Sequence, residues 1–162
     1  MQKIGFGGGC HWCTEAIFQS LIGVTEVQQG WIASTPPYDS FSEAVLLEYS
    51  HLIPLEVLIE VHLRTHSSKK LHGMSEKYRS AIYYDAPKDK AIITAIIQQL
   101  ATQNNCEYVT QVLPMVGFKL NQEQYLNYYK KDPEKPFCKT YIDPKLKLIR
   151  EHFGNKRVKD AL

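Results

Sequence analysis

Residues 3–23 read Lys-Ile-Gly-Phe-Gly-Gly-Gly-Cys-His-Trp-Cys-Thr-Glu-Ala-Ile-Phe-Gln-Ser-Leu-Ile-Gly, and this stretch decides how the chain begins to fold. Lys3 to Phe6 is a short apolar segment that runs into Gly7, Gly8 and Gly9, a strand that ends in a glycine-permitted turn. From Trp12 onward Ala16, Ile17 and Leu21 fall at helical spacing, and Gly23 supplies a stop. Cys10 is therefore expected at the N-terminus of a helix, directly after a strand.

Working outward, Val24 to Ile32 alternates as a strand does, and Ser34 to Ser40 is a loop marked by Pro36, Pro37 and Asp39. Glu43 to Tyr49 and Arg79 to Tyr84 read as further strands, with an amphipathic helix opened by Pro54 and running to Leu63 between them. His66 to Glu76 is polar and reads as a loop. Pro87 to Gln103 is the clearest helix, with Ile92, Ala95, Ile96 and Leu100 expected on its buried face. Tyr108 to Leu113 is expected as a strand, and Gln122 to Tyr129 as a short helix. The segment from Asp132 is irregular at first, with Pro133, Pro136 and Cys138, and then carries a helix around Leu146 to Phe153. The pattern predicts an α+β fold: a two-layer sandwich with helices packed on a mainly antiparallel sheet, a ferredoxin-like core and an irregular C-terminal tail. One domain is expected over 1–162, with 1–130 as its core and 131–162 as the tail.

With 162 residues, 44% of them apolar and 22% charged, the chain can bury one substantial core. A formal charge of +2 with scattered basic residues argues against nucleic acid as a partner. No stretch has the apolar length of a membrane span, and the first residues are too glycine-rich for a signal-peptide core. A cytoplasmic monomer is expected, in a compartment where clustered cysteines are more often catalytic or metal-binding than structural.

A thiolate at a helix N-terminus is stabilised by the free backbone N–H groups and the positive end of the helix dipole. That makes Cys10 a candidate nucleophile, against the alternative of a small buried apolar residue. Cys10 and Cys13 form a C-x-x-C pair with three readings. A thioredoxin-like pair normally follows a strand–helix–strand unit, and only nine residues precede Cys10. A zinc site would draw on Cys10, Cys13 and one or two of His62, His66 and His72, yet no second C-x-x-C completes it. The third reading is a nucleophile, Cys10, with a neighbouring thiol the chemistry does not require.

Gly9-Cys10-His11-Trp12-Cys13, followed by Glu15 and Gly23-Val24, resembles the active-site opening of the A-type peptide methionine sulfoxide reductases, G-C-F-W-C with E-x-x-F and G-V. Further pieces follow in order: Gln29-Gly30-Trp31 resembles S-G-Y, Pro37-Tyr38 resembles N-P-x-Y, and Ser42-Glu43-Ala44 resembles H-A-E-A. Lys77 to Tyr83 resembles Q-Y-R-S-A-I-Y, and Glu123 to Leu126, Asp132-Pro133 and Phe137-Cys138 resemble Q-x-Y-L, N-P and Y-C. The resemblance implies Cys10 as nucleophile, Glu43 as proton donor to the sulfoxide oxygen, Tyr38 and Tyr78 as phenols sharing that task, and Cys138 as the resolving thiol. It implies Trp12 and His11 as walls of the substrate's methyl pocket. The implied reaction returns methionine-S-sulfoxide, free or in oxidised proteins, to methionine through a sulfenic acid and an intramolecular disulfide. No bound cofactor or metal is implied. The implied reductant is an external dithiol, thioredoxin in the cell or dithiothreitol in vitro.

Three departures stand out. His11 replaces a phenylalanine, so one pocket wall is polar and titratable. Gly73 stands where the family carries an aspartate, and the segment between Tyr38 and Glu43 is shorter than usual. Two other function classes compete with the enzyme: a module that binds the sulfoxide without turning it over, and the Cys/His metal site. Turnover separates the first, and metal content the second.

Overall fold

The computed structural model describes residues 2–69 and 79–160. Its elements are β1 (Gln2–Gly7), α1 (His11–Gln19), β2 (Val24–Ala33), β3 (Ser42–Tyr49) and α2 (Leu55–Arg64), then β4 (Ala81–Tyr84), α3 (Asp89–Gln103), β5 (Gln111–Pro114) and β6 (Gly117–Leu120). A 3₁₀ turn (Glu123–Tyr125), α4 (Tyr128–Lys131), a π-helical turn (Cys138–Ile142) and α5 (Asp143–Phe153) complete the described chain. The fold is α+β, as the patterning predicts.

The six strands form one sheet in the order β5-β4-β1-β3-β2-β6, antiparallel except for the parallel pair of β4 and β5. β5 ends on Pro114, which an edge strand tolerates because no ladder bond needs its missing N–H. Only Met115 and Val116 separate β5 and β6, although these lie at opposite edges of the sheet. The sheet must therefore curl. Met115 donates its N–H to Tyr84 O at 3.0 Å and Val116 donates to Ala33 O at 2.9 Å, which fastens the two-residue link across both margins.

Curling leaves two apolar layers. The main one lies between sheet and helices: Ile4, Phe6, Val45 and Leu47 meet Ala16, Ile17 and Phe18 of α1, Leu58 and Ile59 of α2, and Ile93 and Ile96 of α3. Phe6 and Phe18 stack with ring centres 4.7 Å apart. The smaller layer fills the inside of the curl with Ile32, Ala44, Ala81, Tyr83 and Leu113. Cys138, Ile142, Leu146, Ile149 and Val158 also belong to the main layer, so the last thirty-odd residues are built into the core.

The structure differs from the sequence-based expectations in four places. α3 buries Ile96 and Leu100 as expected, but with Ile93 in place of Ile92, which is 49% exposed, and of Ala95, which is also exposed. Tyr108 to Thr110 lies outside β5. The helix expected over 122–129 is split into the 3₁₀ turn and α4 by Asn127, whose φ is +55°. Helical structure in the tail begins at Cys138, earlier than Leu146.

β6 approaches β2 so closely at Gly30 that a Cβ there would lie 1.9 Å from Lys119 O. Gly30→Ala should therefore lower stability by roughly 1–3 kcal/mol, since the nearest atom is backbone and cannot swing aside. A urea midpoint equal to that of the parent protein would contradict this.

Candidate active site

β1 runs straight into the turn that presents Cys10. Gly8 adopts φ +133°, and a Cβ on it would lie 2.6 Å from the His66 ring, so the position requires glycine on two grounds. Gly7 O accepts a hydrogen bond from His62 Nε2 at 2.7 Å. His66 Nδ1 donates to His62 O, which leaves His66 Nε2 to accept from Ser80 Oγ at 2.7 Å, and Ser80 Oγ in turn meets Thr110 Oγ1 at 2.8 Å. The Nε2 atoms of both rings are thus engaged by the turn and by Ser80, while His62 Nδ1 is buried without a hydrogen-bond partner among the described residues. Among the described residues no group of three His, Cys, Asp or Glu side chains could hold a metal ion.

Burial holds the His62 imidazole far below the usual histidine range, and His66 beside it is lowered to about 4, mainly by the same burial. Both rings are neutral in the folded chain and take up a proton near pH 6.5 once unfolded. Their contribution to stability is intact above pH 6.5 and lost as the pH falls toward 4. Chemical denaturation between these values should show stability declining with acid, and a His66→Gln chain should show a shallower decline.

Cys10 caps α1 with φ −62° and ψ 130°, and its carbonyl accepts from both N–H and Oγ1 of Thr14. The Cys13 thiol donates to the Cys10 sulfur, the strongest of the influences that bring the Cys10 pKa down to about 7. Backbone N–H groups of Trp12 and Cys13 assist, against partial burial and the Glu43 charge. Cys13, as the donor and buried, is pushed well above the usual thiol range.

Glu43 is the second residue of β3, with its side chain on the helix side of the sheet and 5% exposed, and His11 Nε2 stands 3.2 Å from its Oε1. His11 Nδ1 faces Gly30 O at 3.4 Å, and Asn121 Nδ2 lies 3.5 Å from Nε2. The 3.2 Å contact lets imidazole and carboxyl share a hydrogen bond. Trp12 stacks flat on Tyr128 at 4.1 Å and meets Phe137 edge-on at 5.5 Å. Cys10, His11, Trp12, Trp31, Glu43, Lys119, Leu120, Asn121, Gln122, Tyr125 and Phe137 line a cavity of about 680 Å³.

Of the residues singled out from sequence, Cys10, His11, Trp12 and Glu43 share this cavity. Cys138 is fully buried behind Phe137, its thiol directed at Asp132 O at 3.5 Å and raised in pKa by burial. It belongs to the core cluster against which Cys10 packs, and all four cysteines are free thiols. Tyr38 packs instead on the inner layer of the curled sheet with Ala44 and Tyr83, under the Arg79 guanidinium at 5.7 Å, on the face of β3 opposite Glu43. Tyr78, and with it Gly73 and His72, lies outside the described residues.

Sequence reasoning missed Asn121, Trp31, Tyr128 and the part played by Glu15. The buried Glu15 carboxylate accepts the N–H groups of Asn127 at 2.9 Å and Tyr128 at 3.2 Å, fixing the segment that stacks on Trp12. Its position three residues after Trp12, on the same helix face, is the signal that could have found it.

A nucleophilic thiol with further thiols packed behind it can be oxidised and reduced again, so the chemistry defined here is thiol-based redox. The family model described as peptide methionine sulfoxide reductase matches residues 2–157, and the chain belongs to that family. Peptide methionine sulfoxide reductase MsrA of Psychrobacter sp. (strain PRwf-1) is 31% identical over 170 residues, covering 94% of this chain and 97% of its own. The crystal structure of Mxr1 from Saccharomyces cerevisiae in reduced form has the same fold, with a TM-score of 0.71 at 20% identity over 86% of this chain and 90% of that one. Mxr1 in complex with Trx2 superposes with a TM-score of 0.62 at 18% identity, covering 76% and 82%. The activity of the chain is accordingly the reduction of methionine sulfoxide to methionine, an oxidoreductase reaction.

Alkylation of Cys10 by iodoacetamide should show a pH midpoint near 7, and Cys13→Ala should move that midpoint upward. An unmoved midpoint would mean the Cys13 thiol does not act on Cys10.

Proposed function

We propose that this chain reduces methionine-S-sulfoxide, free or in peptides, by nucleophilic attack of Cys10 on the sulfoxide sulfur. The observation that carries the proposal is the Cys10 thiolate facing the His11–Glu43 pair across one cavity with Trp12 and Phe137 as apolar wall. A sulfoxide is a poor electrophile until its oxygen is protonated or strongly hydrogen-bonded. The His11–Glu43 pair donates a proton to that oxygen, while the aromatic wall receives the methyl group. Attack forms a bond between the Cys10 sulfur and the substrate sulfur; as the oxygen then passes to the Cys10 sulfur, that sulfur–sulfur bond and the substrate's sulfur–oxygen bond both break. Thiolate, sulfoxide and one proton give methionine and a Cys10 sulfenic acid, the substrate sulfur gaining the two electrons that Cys10 loses.

Cys138 is the resolving thiol in this reading. Its attack on the sulfenic acid forms the Cys10–Cys138 disulfide and releases water. Their shared neighbour supports it, since burial raises the Tyr128 phenol and both Cys138 and Cys10 lie close enough to raise it further. An external dithiol then reduces the disulfide by exchange, and the Trx2 complex of the structural neighbour Mxr1 favours thioredoxin for that role. Tyr78 remains proposed as a further donor to the sulfoxide oxygen, and Tyr38 as one only if its loop turns toward the cavity. No helix among the described residues is long and apolar enough to cross a membrane.

The reduced protein should release methionine from the S epimer of a methionine sulfoxide substrate with dithiothreitol present, and Cys10→Ser should release none. Glu43→Gln should lower the rate by about 100-fold, the usual scale for loss of a general acid. Saturable sulfoxide binding without methionine release would replace the catalytic reading with a binding one.

A further inference from the structure

The cavity beside Cys10 opens along one margin of the sheet. Lys119, Leu120 and Asn121 form its outer wall, and the first two belong to β6. β6 pairs with β2 and is the last strand of the sheet on that side. Asn121 donates its N–H to Gln29 O at 2.9 Å. In an antiparallel ladder the direction alternates, so the main-chain N–H and C=O groups of Phe118 and Leu120 point away from β2.

Exposed apolar side chains gather along the same margin: Leu120 at 52%, Val116 at 65% and Phe41 at 41%. Phe41 lies over Gly117, within 3.4 Å of where a Cβ would stand, and Lys119 Nζ covers its ring at 4.2 Å. An edge with outward main-chain groups, apolar side chains beside it and a reactive cavity at its end has the parts needed to receive an extended polypeptide.

We propose that β6 is the docking edge for the polypeptide that carries the oxidised methionine, which adds to the sheet as a further strand. Main-chain hydrogen bonds to Phe118 and Leu120 hold it in register. Alternate side chains of an added strand point to opposite faces, so one register turns the sulfoxide side chain into the cavity while its neighbours rest on Leu120 and Val116. The proposal rests on the reading that sulfoxide is reduced at Cys10. Free methionine sulfoxide has no flanking chain and gains nothing from the edge, whereas a sulfoxide in an extended segment does.

The test places the modification on the substrate, so the fold of the protein is untouched. One peptide carrying a single methionine-S-sulfoxide is prepared unmodified, N-methylated on the residues directly flanking the sulfoxide, and N-methylated on the residues two positions away. Because only one of these sets faces β6, one methylated peptide should lose about tenfold in kcat/KM through lost main-chain hydrogen bonds, and the other should match the unmodified peptide. Equal kcat/KM for all three peptides would overturn the proposal, as would an equal fall for both methylated forms, which reports bulk and not pairing. Free methionine sulfoxide in the same preparation reads the reaction itself. Its turnover isolates any failure to the docking edge, and a preparation that turns over neither it nor the unmodified peptide would overturn the reaction at Cys10 and the docking with it.

Discussion

The hydrogen bond from His62 to Gly7 O is the contact on which the geometry of the thiol depends. It joins the last turn of α2 to the last residue of β1, and the His66 ring fills the space that Gly8 leaves by lacking a Cβ. Ser80 and Thr110 extend the same chain of hydrogen bonds to the residues before β4 and β5. Three glycines would otherwise allow Cys10 a wide range of positions. The buried imidazoles remove that freedom and set the sulfur at the end of α1, where N–H groups converge.

The opposite wall is chemically divided. His11, Glu43 and Asn121 supply protons and lone pairs on one side, while Trp12, Phe137 and Tyr125 supply aromatic surface on the other. A dialkyl sulfoxide is divided in the same way, with a polar S–O bond and an apolar methyl group. The imidazole of His11 enlarges the polar share. It is fixed by Gly30 O and by the carboxyl of Glu43, so it acts as part of a pair and not as a lone base. Glu15 performs the matching service for the aromatic side by ordering the backbone under Tyr128.

Much of this was legible before any coordinates. The strand, glycine turn and helix around Cys10 follow from local periodicity, as do β2, β3 and α2. β6 was not legible: four residues, Gly-Phe-Lys-Leu, become a strand only because β2, some ninety positions earlier, offers a ladder. The π-helical turn at Cys138 was hidden by Pro136 and Pro144, which read locally as breakers. Within the site, Cys10, His11, Trp12 and Glu43 converge because each sits on an element whose pattern is local. Tyr38 goes elsewhere for a reason its own residues contain. Ser34 donates its N–H to Tyr38 O and Tyr38 donates to Thr35 O, so the loop folds back on itself. The four residues left before Glu43 then bring the phenol to the inner face of the curl.

The nucleophile stands at position 10, and the groups that enclose it come from positions 119–138. The end of the described chain then returns to the start: Lys159 donates its N–H to Ser20 O, and Ile22 donates to Arg157 O. During synthesis from the N-terminus, the thiol therefore leaves the ribosome long before Phe137 and Cys138 exist to cover and relieve it. At the usual elongation rates that interval lasts on the order of ten seconds. Over that time a sulfenic acid formed on Cys10 has no Cys138 to meet, and the protein that repairs oxidised methionine is itself open to oxidation as it is made.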